Sequence, residues 1–224
     1  MGKLEGKVAF ITGTARGQGR AEAIRLAEEG ADIIGVDICS QIPVVPYPMG
    51  TAEELAETVA LVEKLGRKMV ASEVDVRDYD ALQKAFDDGC AELGQATIVV
   101  ANAGIGPGGF ASDQEQWDEV ISVNLSGVWN TGRVSIPSIV EANQGGSVIL
   151  TSSTGGLVGP GLNIAGVLGY TAAKHGVIGL MRSWANYLAP HMIRCNAVAP
   201  TTVRTPMANM GDISLILELS LIHI

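Results

Sequence analysis

The 224-residue chain is short of cysteine, of positive charge and of long apolar runs. Each shortage closes off a class of protein. Cys39, Cys90 and Cys195 are an odd, widely scattered set, which builds no disulfide framework and reads as free or buried thiols in a reducing cytosol. Fifteen basic residues face 24 acidic ones, a formal charge of -9, so the Lys and Arg excess that a phosphate backbone demands is missing and nucleic acid is not an expected partner. No block of like charge marks a tail or a membrane patch. The apolar run Val8–Ile11 is too short for a secretory leader and passes straight into a glycine turn. No uninterrupted apolar stretch reaches the length of a membrane span. These readings predict a soluble, cytoplasmic protein. His175, His191 and His223 share no ligand spacing, so no metal site is expected.

What the chain does contain is a hydrophobic content of 47%, enough for the core of one domain. Short β-branched runs alternate with longer helical patterns, as in βαβ units with a parallel sheet. Strands are expected near Val8–Ile11, Asp32–Val36, Met69–Val74, Thr97–Ala101, Ser147–Thr151 and Arg194–Val198. Helices are expected near Gly19–Glu29, Ala52–Leu65, Tyr79–Leu93, Gln114–Glu141 and Tyr170–Leu188. Thr51 and Glu54 form a capping box opening the second helix, and Pro190 stops the last. No repeat or low-complexity segment interrupts the alternation. Residues 39–50 (CSQIPVVPYPMG) insert three prolines between a strand and a helix, which predicts a long loop, ordered or partly so. Residues 1–212 are expected to form a single domain. Residues 213–224 are an apolar string without preceding turn chemistry, expected to be a truncated or spurious end, with a final strand as the alternative.

After the first strand comes Thr12-Gly13-Thr14-Ala15-Arg16-Gly17-Gln18-Gly19. Glycines at 13, 17 and 19 permit a tight turn and close backbone approach, and the helix that follows offers free amides and a positive dipole end to a pyrophosphate. Asp37 closes the second strand, where a carboxylate can accept hydrogen bonds from an adenosine ribose diol and repel a 2′-phosphate. That favours NAD over NADP, with Arg16 as the counter-signal, since a cation there can pair with the phosphate. Asp75-Val76 and Asn102-Ala103-Gly104 follow the third and fourth strands, at the carboxyl ends where ligands collect in open α/β sheets. Asp75 could bond an adenine amino group and Val76 could pack on the ring, although Asp and Asn also serve as plain turn formers. Tyr170 and Lys174 are four residues apart, one turn if helical, so phenol and ammonium share a face. A nearby cation lowers a tyrosine pKa toward neutrality, as a general acid/base requires.

With TGTARGQG, the strand-end Asp37, Asp75-Val76, Asn102-Ala103-Gly104, Asn124 in VNLSG, TSS at Thr151–Ser153 and YTAAK in this order, the chain resembles the short-chain dehydrogenase/reductase family over about residues 4 to 210. The resemblance implies a Rossmann-like, doubly wound parallel sheet of the α/β class, with about six strands present and helices on both faces. It implies that Tyr170 is the acid/base, that Lys174 binds the nicotinamide ribose, that Ser153 holds the substrate oxygen and that Asn124 supports a water leading from Lys174 to solvent. Ser152 is expected to satisfy backbone instead. Cofactor contacts are implied for Gly13, Arg16, Gly17, Gln18, Gly19, Asp37, Ile38, Asp75, Val76, Asn102, Ala103, Gly104, Tyr170 and Lys174. Val203 and Thr205, ahead of Pro206-Met207, would contact the nicotinamide amide.

The insertion after Val36-Asp37, with AEAIRLAEEGADIIGVDI and YTAAKHGVIGLMR, resembles the mycofactocin-coupled, carveol-dehydrogenase-like subgroup. That implies NAD held tightly under a Pro-rich cover and reoxidised by a separate redox carrier, mycofactocin. The expected reaction interconverts a secondary alcohol and its ketone, apolar and terpenoid- or steroid-like, because Ile105–Phe110 and Leu157–Leu168 carry few charges. Two alternatives stay open: an NADP(H)-dependent ketoreductase of the acyl-carrier type, and a catalytically impaired NAD-binding fragment. Two departures from the family pattern stand out: a longer glycine-rich run between Ser153 and Tyr170, and Pro200-Thr201 in place of Pro-Gly. Family members continue past Met207 with a substrate-covering helix and a seventh strand, which this chain is expected to lack. The family also implies a homo-oligomer, dimer or tetramer, paired through Gln114–Glu141 and Tyr170–Leu188.

Overall fold

The computed structural model describes residues 2–106, 108 and 111–209. The expectations for 213–224 and for Phe110 lie outside these residues. Six strands form one parallel sheet in the order β3-β2-β1-β4-β5-β6. They are β1 Val8–Thr12, β2 Asp32–Asp37, β3 Met69–Glu73, β4 Ala96–Ala101, β5 Gly146–Thr151 and β6 Ile193–Val198. The helices are α1 Gly17–Glu28, α2 Ala52–Glu63, α3 Tyr79–Leu93, α4 Asp113–Ile121, α5 Val128–Ala142 and α6 Ala165–Leu188. β1 and β4 are buried along their whole length, as strands covered on both faces must be, and apart from Thr12 and Thr97 both read as apolar runs rather than alternating ones.

The period-two alternation of side chains divides the core into two layers. Ala9, Ile11 and Ile33 pack on one face with Ala23 and Ala27 of α1 and Leu55 and Val62 of α2. Phe10, Ile34, Val99, Val148 and Leu150 pack on the other with Leu82 and Phe86 of α3, Val134 of α5 and Val177 of α6. Phe10 and Phe86 meet edge to face at 5.1 Å. Strand order reverses between β1 and β4, so the carboxyl ends of these two strands open a crevice, the usual place for a ligand in such a sheet.

Three expected boundaries change. The single helix expected over Gln114–Glu141 is three pieces: α4, a widened π-helical turn at Ser122–Gly127, and α5. The extra residue in that turn places Asn124 inward and fully buried, where packing of the loop after β4 outweighs regular helix geometry. α6 begins at Ala165, five residues before Tyr170, and Gly169 lies in contact with Trp117 of α4. Part of the expected glycine-rich loop is therefore helix. α1 starts at Gly17, not Gly19. The Thr51–Glu54 capping box forms as expected. No helix among the described residues is long and apolar enough to cross a membrane.

Candidate active site

A cleft of about 1040 Å³ opens over the carboxyl ends of the strands. Its floor is the glycine turn. Gly13 has φ +78, and a Cβ on it would stand 3.0 Å from both the Ala103 Cα and the Asn102 Nδ2. A Cβ on Gly19 would stand 2.0 Å from the Gly13 carbonyl oxygen, so no side chain fits at either position. Gly17 has φ +62, a left-handed conformation suited to glycine. α1 carries neither a side-chain cap nor an acidic residue in its first turn. Its amides and dipole are thus left for an anion at the cleft. Gln18 lines the same wall. These residues fit a dinucleotide: the cradle is built by leaving out side chains, and its charge preference is for a pyrophosphate.

Thr12, which sequence reasoning did not single out, ties the turn to β4. Its buried hydroxyl accepts from the amides of Asn102 at 3.1 Å and Ala103 at 3.0 Å. The Asn102 amide group donates to the Thr12 carbonyl at 3.0 Å. The expected Asn102-Ala103-Gly104 segment is thereby locked to the glycine turn.

At the adenosine end the Asp37 carboxylate accepts from the amides of Ala15 at 2.9 Å and Cys39 at 3.2 Å, and lines the cleft beside Ile38. Arg16 lines the cleft too, but its guanidinium donates to the Pro48 carbonyl and lies 3.8 Å from the Glu54 carboxylate. Asp75 lines the cleft as well. Arg77 grips its carboxylate through Nε at 2.8 and 3.0 Å, Nη2 at 2.6 Å and the backbone amide at 2.9 Å. Arg77 is itself paired with Glu119. Four such contacts use most of the acceptor capacity that a carboxylate has, leaving little for an adenine amino group. Val76 is buried beside it.

The insertion 39–50 is ordered and packed. Ile42, Val44, Val45 and Tyr47 join the main core. Gln41 bonds the carbonyls of Val45 at 2.9 Å and Tyr47 at 3.3 Å, while its own oxygen accepts from the Met49 amide at 3.1 Å. Tyr47, 8% exposed, accepts from the Gly106 amide at 2.8 Å, and burial pushes its phenol up to about 12. Its one sequence signal was being the aromatic in a proline-rich insertion.

Ser153, Tyr170 and Lys174 meet at the other end of the cleft. The Ser153 hydroxyl accepts from the Gly155 amide at 3.1 Å, and a Cβ on Gly155 would stand 3.4 Å from the Tyr170 ring and 3.5 Å from the Ser153 Oγ. The Ser152 hydroxyl instead donates to the Lys174 carbonyl at 2.9 Å, the backbone role expected of it. Lys174 is 4% exposed, and its ammonium donates to the Thr151 carbonyl at 2.8 Å and lies 5.7 Å from the Tyr170 ring centre. Burial lowers its pKa to about 8.

Among the protein's own groups, burial raises the Tyr170 pKa and Ser153 opposes that rise. The expected lowering belongs to Lys174 acting together with the cationic nicotinamide ring. Asn124 uses its side-chain oxygen on the Ile105 amide at 2.7 Å and its nitrogen on the Ile105 carbonyl at 2.8 Å. It is a clamp between the π turn and the loop after β4, and Gly104 makes the space: a Cβ there would stand 3.0 Å from the Asn124 oxygen and 3.5 Å from the Lys174 Nζ. Val203 and Thr205 line the cleft, and Thr205 faces Gly17 across it. Among the described residues no group of acidic, His or Cys side chains could hold a metal ion.

The short chain dehydrogenase family model matches residues 7–212. A (-)-trans-carveol dehydrogenase of Rhodococcus erythropolis is 50% identical over 210 residues, covering 92% of this chain and 74% of that protein. Among solved structures, a carveol dehydrogenase from Mycobacterium avium in complex with NAD is 51% identical with a TM-score of 0.86, covering 92% of this chain and 74% of that one. A short chain dehydrogenase from Mycobacterium paratuberculosis bound to NAD is 48% identical with a TM-score of 0.87, covering 98% and 80%.

Proposed function

This chain belongs to the short-chain dehydrogenase family, and on that premise we propose that it is an NAD-dependent oxidoreductase interconverting an apolar secondary alcohol and its ketone. The observation that carries the reading is the convergence of Ser153, Tyr170 and Lys174 on the cleft that also contains the glycine turn and Asp37. Its relatives include carveol dehydrogenases, and two structural neighbours hold NAD.

Gly13, Gly17, Gly19 and the first turn of α1 would hold the pyrophosphate of NAD, Asp37 the adenosine ribose, and Lys174 the nicotinamide ribose. NAD, when bound, supplies the hydride acceptor for alcohol oxidation and the donor for the reverse. Ser153 holds the substrate oxygen beside Tyr170. Tyr170 takes the alcohol proton on oxidation and returns it on reduction, and an ammonium at Lys174 favours the phenolate once the substrate is seated. Lys174 keeps its place through Thr151, and Asn124 keeps the loop after β4 against the π turn. Leu157, Val158, Leu162, Ile164 and Val167 line the cleft next to Tyr170. Such a lining discriminates by apolar area and shape rather than charge, which supports a terpenoid- or steroid-like alcohol.

The insertion supports a further part of the same reading: NAD is retained between turnovers and reoxidised by mycofactocin. We also place the enzyme in the cytosol, in keeping with three free cysteines. We take it to pair as a homo-oligomer through α4, α5 and α6, where Trp117, Trp129 and Leu168 stand exposed. The test is to denature the purified protein, identify any released nicotinamide, and add carveol to the native protein while following NADH absorbance. Bound NAD with at most one equivalent of NADH formed per site is expected. Steady turnover with free NADPH would favour a ketoreductase, and NAD without reaction would favour an impaired binder.

A further inference from the structure

Coenzyme choice in this cleft involves one conflict: Asp37 repels a 2′-phosphate while Arg16, three residues after Gly13, could attract one. The two signals sit on neighbouring segments, since the Asp37 carboxylate accepts from the amide of Ala15 at 2.9 Å. The Arg16 side chain is only 19% exposed, and two groups from outside the glycine turn hold its guanidinium. One is the Pro48 carbonyl at the end of the insertion. The other is the Glu54 carboxylate at 3.8 Å, in the first turn of α2. Glu54 is fixed in its turn, because its side chain accepts from the Thr51 amide at 3.0 Å in the capping box. Gly50, which joins insertion to helix, lies against Asp37 and the residue before Arg16: a Cβ on it would stand 2.9 Å from the Ala15 Cβ and 3.2 Å from the Asp37 Oδ1.

Resting on the reading that this cleft binds NAD, we propose that Glu54 is a second specificity-determining residue, acting through Arg16. The capping-box carboxylate and the Pro48 carbonyl together hold the Arg16 cation and oppose its pairing with a 2′-phosphate. Rejection of NADP is then shared: Asp37 repels it directly and Glu54 removes its only competing attraction in the glycine turn. The insertion and α2 thus act on coenzyme choice as well as covering the cleft. A capping box needs Glu or Gln at its third position and works with either, so the charge of Glu54 can be removed while the helix start stays intact.

The experiment measures dissociation constants of NAD and NADP by equilibrium dialysis for the unaltered protein, Asp37→Asn, Glu54→Gln, the double variant, and the double variant with Arg16→Ala. In the Asp37→Asn background, Glu54→Gln is expected to tighten NADP about fivefold, the upper range for a part-exposed ion pair. NAD affinity should change less than about twofold. Adding Arg16→Ala should erase the gain. Equal NADP affinity for Asp37→Asn and the double variant overturns the proposal, as does a gain that survives Arg16→Ala. Failure of the unaltered protein to bind NAD is a separate result, and it overturns the reading on which this proposal rests. Thermal melting of each variant checks that α2 still forms.

Discussion

The Tyr47 hydroxyl accepts a hydrogen bond from the Gly106 amide at 2.8 Å, joining two segments 59 residues apart in the chain. One end belongs to the insertion after β2, the other to the loop after β4, and the mouth of the cleft lies between them. With Arg16 bonded to the Pro48 carbonyl, the insertion is tied down on both sides of the cofactor site. Tyr47→Phe keeps the buried ring and removes the tie. One hydrogen bond contributes about 0.5–1.5 kcal/mol net, so the release rate of bound NAD is expected to rise about two- to tenfold. Stopped-flow displacement by an excess of labelled NAD measures it. An unchanged rate would sever the link between this bond and cofactor retention.

Chemistry and binding should separate at the other end of the cleft. Tyr170→Phe removes the proton carrier but keeps the ring against Gly155. Ser153→Ala removes the hydroxyl that holds the substrate oxygen. Each is expected to cut single-turnover NADH formation about 10²- to 10⁴-fold while NAD affinity, read by fluorescence titration, stays within about threefold. Comparable losses in both quantities would mean that the residues support the cleft rather than the reaction.

Arg77 bears on how the adenine is read. Because it occupies Asp75, the adenine 6-amino group should find no strong acceptor there. NAD and its hypoxanthine analogue, which lacks that amino group, are expected to bind within about twofold of each other. A preference for NAD of tenfold or more would show that Asp75 reads the base after all.

Glu22 on α1 gives a stability signature. Burial raises its pKa from 4.5 to about 7, and its Oε2 has no partner among the described residues. The folded state therefore holds this proton more tightly than the unfolded chain does. Its contribution is intact below about pH 4.5 and is lost as pH rises through 7. Glu22→Gln should raise stability by roughly 1–3 kcal/mol above pH 7, and the gain should fade toward pH 4.5. Melting temperatures of the two proteins across that range test the slope, and a constant difference would refute the assignment.

Most of the architecture was legible because it is carried by local patterns. The largely apolar runs of β1 and β4, the Thr51–Glu54 capping box and the glycine turn each need only near neighbours to be recognised. Tyr170 and Lys174 were readable for the same reason, being one turn apart on α6. The π turn was not legible. Asn124 leaves regular helix geometry to bond both backbone groups of Ile105, nineteen residues away, and no spacing rule within the helix encodes that distance.

The sequence by itself determined the alternation of strands and helices, the places where a Cβ had to be absent, and the one-turn spacing of Tyr170 and Lys174. These follow from steric and periodic rules that act over a few residues. Tertiary structure alone decided what each charge is free to do. Asp75 is spent on Arg77, Arg16 is held by Glu54 and Pro48, and among the protein's own groups burial raises the Tyr170 pKa. The reason is physical: desolvation and ion pairing depend on what surrounds a group in space, and those surroundings come from segments far apart in the chain.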